Sequence, residues 1–195
     1  MANAKTKPLP TFQDITIDEL KLKKMCLILK AGSNKVTRWA MKNLFKFPYT
    51  PPFTHALVHL QDGNCLDVGF TTYIRKIEKI IRKSQRYVVI ELIDLTDEQK
   101  KAGLSTAMHM AAGKGKKFRF YDVWGYIAFG LRKIFRTNKI KGSKRYPFCS
   151  DQGIDLLQAM EYQYVMEMDS ELISPCDIFT IFSKHSPAMF YEIKQ

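Results

Sequence analysis

The chain has 195 residues, 46% of them hydrophobic and 26% charged, with a formal net charge of +12. That balance suits a globular domain with a buried core and excludes a disordered or collagen-like chain. No stretch approaches the ~20 apolar residues of a membrane span. The surplus of Lys and Arg favours contact with an anionic membrane, wall polymer or nucleic acid, or serves solubility alone.

The first residues, MANAKTKPLPTFQDI, carry lysines with no apolar run behind them. No secretory signal is expected, so a cytoplasmic location follows, with delivery outside by another route left open. Residues 1–16 read as a leader, because Pro8 and Pro10 block a helix. Residues 17–195 then form a single domain with a basic helical insertion at about 96–147.

Residues 25–29 are an apolar run and read as a buried strand. A short helix is expected at 35–45, ended by Pro48, Pro51 and Pro52. Residues 55–60 and 65–70 read as two strands joined by the hairpin signal Gln61-Asp62-Gly63-Asn64. Ile74, Ile77, Ile80 and Ile81 predict one face of a helix. Residues 87–93 are the clearest strand in the chain. Thr96 is the expected N-cap of a helix reaching about Ala112, followed by a basic loop at 113–117.

A helix at 122–135 and a basic connection at 137–147 come next. Trp124, Ile127 and Leu131 form an apolar stripe there, with Arg132, Lys133 and Arg136 close behind. An ordinary core-facing helix with a solvated basic loop accounts for this, and so does an anionic lipid or polymer surface. Leu156, Leu157, Met160 and Tyr164 continue at helical spacing from Cys149, which places Cys149 at a helix N-terminus. Ser174-Pro175-Cys176-Asp177 is a second start signal, and a last strand is expected at 189–193. The fold class expected is α+β, with the strands in one sheet.

Cys26, Cys65, Cys149 and Cys176 are scattered singly, so free thiols are expected rather than a disulfide framework. His55 and His59 lie four apart, but no second pair has metal spacing. No metal or organic cofactor is implied. Cys149 stands out because a helix start favours the thiolate, the useful nucleophile. His55, after a Pro-rich loop, is a candidate base. Asp67 follows twelve residues later, across the hairpin, where the two side chains can meet and the acid can orient the imidazole. His59 shares the strand face of His55, so alternation cannot separate the two. Cys176 is the competing nucleophile on local grounds, and His109 and His185 read as surface or packing residues.

The sequence resembles the circularly permuted NlpC-type papain-fold cysteine hydrolases, including the lecithin retinol acyltransferase-like branch. The residues that carry the resemblance are Phe53-Thr54-His55-Ala56-Leu57-Val58, Asp67, Tyr146-Pro147-Phe148-Cys149-Ser150-Asp151 and Ser174-Pro175-Cys176-Asp177-Ile178. It covers about 25–193. It departs from the family at Met25-Cys26, where a Gly-Asp pair is usual, at Leu57 for Gly, and at Asp151 for Glu. The resemblance implies a permuted papain-like fold, a small and mostly antiparallel sheet against helices, and a thiol hydrolase or acyltransferase. It implies Cys149 as nucleophile, His55 as base in preference to His59, and Asp67 as the third residue. Expected substrates are peptide, peptidoglycan or lipid acyl carbonyls. A non-catalytic basic binding protein on the same fold is the alternative. Nucleic acid is not the expected partner, because no recognition motif appears.

Overall fold

The computed structural model describes residues 10–32, 53–68, 72–114, 149–170, 173–185 and 187–194. In chain order they form β1 (Phe12–Ile15), α1 (Ile17–Leu22), β2 (Cys26–Ala31), β3 (Phe53–Gln61), β4 (Asn64–Val68), β5 (Thr72–Lys76), β6 (Tyr87–Leu92), α2 (Asp97–Lys114), α3 (Cys149–Ala159), α4 (Pro175–His185) and β7 (Ala188–Ile193). The strands make one open seven-stranded sheet in the order β1-β7-β6-β2-β3-β4-β5. Every neighbouring pair is antiparallel except β1 with β7. The fold is α+β, as the residues predict.

The central strands β2 and β6 are buried along nearly their whole length. Their continuous apolar runs reflect a sheet covered on both faces. Alternate residues divide between two cores. Leu27, Leu29, Val58 and Leu66 pack with Ile154 and Leu157 of α3 and Phe179 and Phe182 of α4. Ile28, Leu57, Cys65 and Val89 pack on the other side with Leu20, Ile77 and Tyr87. Among the described residues no helix is long and apolar enough to cross a membrane.

The expected turn and caps have physical partners. Asp62 and Gly63 both take positive φ, 51° and 73°, the signature of a tight hairpin turn whose twist matches its strands. Thr96 Oγ1 accepts from the Gln99 N–H, while Gln99 Oε1 accepts from the Thr96 N–H, so α2 starts in a reciprocal cap. The same Gln99 side chain donates to the Met160 carbonyl at the end of α3. At α4, Ser174 and Asp177 exchange equivalent bonds.

Two expectations are corrected. Residues 10–16 are not a leader: Phe12–Ile15 pairs in parallel with β7, and Thr16 caps α1 through a capping box with Glu19. Residues 74–81 are not a helix. Ile74 belongs to β5, which pairs along its full length with β4, and Ile77–Lys79 is a single 3-10 turn. Tertiary pairing overrides the helical spacing. The 3-10 turn is fixed by the Ile77 N–H donating to the Gly63 carbonyl and by the buried Tyr87 hydroxyl donating to the Ile80 carbonyl. The expected basic loop at 113–117 begins within α2, which runs to Lys114. The helices expected at 35–45 and 122–135 and the connection at 137–147 lie outside the described residues.

Phe179 of α4 sits among Phe12 of β1, Phe53 of β3 and Phe190 of β7, with ring centroids 6.1, 5.2 and 5.5 Å away. It ties the sheet's far edge and its centre to one helix. Phe179→Ala is expected to lower unfolding free energy by about 3–5 kcal/mol, measured by urea denaturation.

Candidate active site

The site grows from the β3–β4 hairpin. Val58 pairs with Leu66 and His59 with Cys65. Continued along the strands, that register puts Leu57 opposite Asp67 and makes His55 the diagonal neighbour of Asp67. Diagonal neighbours lie about 7–8 Å apart at Cα, within reach of a long side chain. His55 Nε2 lies 2.9 Å from Asp67 Oδ1. Both residues stand near strand ends, since β3 begins at Phe53 and β4 ends at Val68. The register also breaks beside His55: Lys30 pairs with His55 but Ala31 pairs with Phe53. The imidazole is thus at the rim of the sheet, beside a helix packed on β3 and β4.

That helix is α3, whose described part starts with Cys149 and which packs on β3 and β4. Cys149 interacts with the His55 ring closely enough to raise its pKa. Gln152, one turn on, is buried and hydrogen-bonds Thr72 of β5 at 2.9 Å. Thr72 pairs with Val68, the residue after Asp67, so this bond locks the first described turn of α3 to the strand end that carries the acid.

Charge follows from the geometry. Burial works against a charged His55 ring. Interaction with Cys149 and the hydrogen bond to Asp67 outweigh it, and the His55 pKa is raised to about 10. Burial likewise works against an ionised Asp67, but His55 and then Arg75 hold its carboxyl below the usual carboxylate range. Arg75 places Nη1 3.4 Å from Asp67 Oδ2.

The rival residues are placed elsewhere. His59 lies four residues farther along β3, about 13 Å away by strand rise. It is wholly buried, and neither ring nitrogen has a hydrogen-bond partner among the described residues. Burial drives its pKa down to about 4. Cys26 and Cys65 flank it on β2 and β4, and burial pushes both thiols up to about 12. Cys176 is fully buried with Sγ 3.3 Å from the Phe53 carbonyl, which accepts from it. His109 is exposed on α2. Among the described residues, no three His, Cys, Asp or Glu side chains are placed to hold a metal ion. The basic segment at 132–145 lies outside the described residues.

Of the residues chosen from sequence, His55 and Asp67 are brought into hydrogen-bond contact, and Cys149 acts on the His55 ring from α3. Arg75, Lys30 and Gln152 were not anticipated. A strand reading of 72–76 would have placed Arg75 beside Asp67, but the isoleucine spacing there matches a helix. A search of protein-family models finds none that matches the chain, and a search of curated proteins finds no match.

The lone buried His59 has a consequence for acid stability. Its folded pKa lies below its ordinary value of 6.5, so the unfolded chain binds the proton more tightly. Its neutral form is compatible with the fold above pH 6.5, and stability is lost as pH falls from there towards 4. The expected loss is on the order of 3 kcal/mol. In urea titrations at pH 7 and pH 4, His59→Phe is expected to lose less stability over that interval than the unsubstituted chain. An equal loss in both would show that another group carries the acid sensitivity.

Proposed function

We propose that the chain is a papain-like thiol hydrolase or acyltransferase that attacks an amide, ester or thioester carbonyl. The observation that supports this most is the 2.9 Å hydrogen bond between His55 and Asp67, with Cys149 acting on the same imidazole. A nucleophile, a base within hydrogen-bond reach of it, and an acid orienting the base are the parts covalent acyl transfer needs.

In this reading Asp67 engages Nε2 and leaves Nδ1 of His55 for the thiol. With the Cys149 proton already on His55, Sγ bonds to the carbonyl carbon. The tetrahedral oxyanion meets the Cys149 backbone N–H at the start of α3. Collapse expels the leaving group, which takes its proton from His55. Water then hydrolyses the thioester, or another nucleophile accepts the acyl group, and the thiol is restored. The steps use the chain's own groups. The permuted papain-like arrangement belongs to the same proposal. So do the substrate classes, peptide, peptidoglycan or lipid acyl carbonyls, and a positively charged approach surface for an anionic membrane or polymer.

Selective alkylation tests it. At pH 7, iodoacetamide followed by peptide mass spectrometry is expected to modify Cys149 and leave Cys26, Cys65 and Cys176 intact. His55→Ala should slow that reaction at least about 100-fold. With a chromogenic ester, turnover should fall as pH rises through about 10, where His55 gives up the proton the leaving group needs. Asp67→Asn should move that limb to lower pH, because the carboxylate is one of the groups holding the proton on. Equal labelling of all four cysteines, with turnover surviving Cys149→Ala, would leave a binding protein on this fold as the reading.

A further inference from the structure

A row of charged side chains runs past the His55–Asp67 hydrogen bond on four adjacent strands. Lys30 of β2 is directly opposite His55 of β3, and Tyr73 of β5 is directly opposite Asp67 of β4. Side chains opposite one another in an antiparallel pair are close neighbours, about 4.5–5.5 Å apart at Cβ. Arg75, two residues beyond Tyr73, leans back so that its guanidinium lies 5.4 Å from the Tyr73 ring centre and 3.4 Å from Asp67 Oδ2.

Lys30 is half-buried. Burial and the charge of Arg82 disfavour its ammonium form, and the charge of Asp67 favours it. Lys30 is therefore within electrostatic reach of both the acid and a further cation. One carboxylate faces Lys30, Arg75 and a His55 that is itself held protonated. Its Oδ1 is engaged by His55 and its Oδ2 by Arg75 at the long end of hydrogen-bond range. The Arg75 side chain is 42% exposed, and an arginine presents five N–H donors in a fixed fork. Positive charge is therefore in excess around Asp67.

We infer that this row is an anion-binding wall of the active site: the acyl donor carries a phosphate or carboxylate that Arg75 and Lys30 hold beside His55. The inference rests on the catalytic reading of Cys149 and His55 and adds the substrate's charge to it. Guanidinium recognises both anions through paired N–H donors, and Lys30 adds a point charge. Arg75 and Lys30 are thus specificity-determining residues, while the chemistry stays with Cys149 and His55.

Two alkylating reagents of nearly equal size, neutral iodoacetamide and anionic iodoacetate, read this wall directly. The ratio of their rates at Cys149, iodoacetate over iodoacetamide, is expected to exceed the ratio for free cysteine at the same pH by about tenfold or more. The excess should fall at least about threefold in Lys30→Gln and in Arg75→Gln, and Arg75→Lys should keep more of it than Arg75→Gln. In the unsubstituted chain it should also collapse between about 20 mM and about 500 mM NaCl, which needs no variant to fold. Inorganic phosphate or acetate at millimolar concentration should slow iodoacetamide at Cys149. Protection by phosphate alone assigns a phosphate-bearing donor, and protection by both assigns a carboxylate-tolerant one. A ratio equal to that of free cysteine, with no protection by either anion, overturns the anion-binding wall while leaving the catalytic reading intact. Failure of both reagents to label Cys149 faster than free cysteine would overturn the catalytic reading instead.

Discussion

His55 and Asp67 meet across two antiparallel strands through a 2.9 Å hydrogen bond, and that bond sets the orientation of the imidazole on which everything else at the site depends. It exists because the tight Asp62-Gly63 turn and a one-residue shift of register between His59 and Gln61 together set β3 against β4. A slip of one residue would send Asp67 to the opposite face and leave His55 without an orienting acid. The register is defended from both sides of the sheet, by Val58 and Leu66 in one core and Leu57 and Cys65 in the other.

The same sheet sorts the ionisable side chains by the partners it gives them rather than by type. His59 and His55 share a strand, yet four residues of displacement separate a ring driven towards neutrality from one raised to about 10. Cys26 and Cys65 lie within the sheet's buried middle and are held as thiols. Cys149 is nearly buried too, but it is at the rim, where His55 reaches it. Reactivity in this account belongs to that position and its partner, and the residue type alone would not have supplied it.

Much of this was legible in the residues. The hairpin, the caps at Thr96 and Ser174, and the apolar runs of β2 and β6 are local signals, each with its own chemistry in a short window. The pairing of His55 with Asp67 was legible because a turn of known type lies between them. What escaped were features decided at long range. Phe12–Ile15 is a strand only because β7, nearly 180 residues later, offers it an edge. Ile74, Ile77, Ile80 and Ile81 match helical spacing, but they are shared between a strand and a 3-10 turn that serve different neighbours. The choice of His55 over His59 rested on resemblance, because alternation along one strand cannot distinguish residues four apart; what distinguishes them in the fold is that Asp67 meets His55.

The central claim is that Cys149 and Asp67 together keep His55 protonated well above the ordinary range of histidine. The direct measurement is a nitrogen-15 NMR titration of the His55 ring in the unsubstituted chain, assigned by comparison with His55→Ala. Both ring nitrogens should carry protons at neutral pH and the ring should titrate near pH 10, falling towards ordinary values in Cys149→Ala. A His55 ring that titrates near 6.5 and ignores the loss of Cys149 would contradict the account.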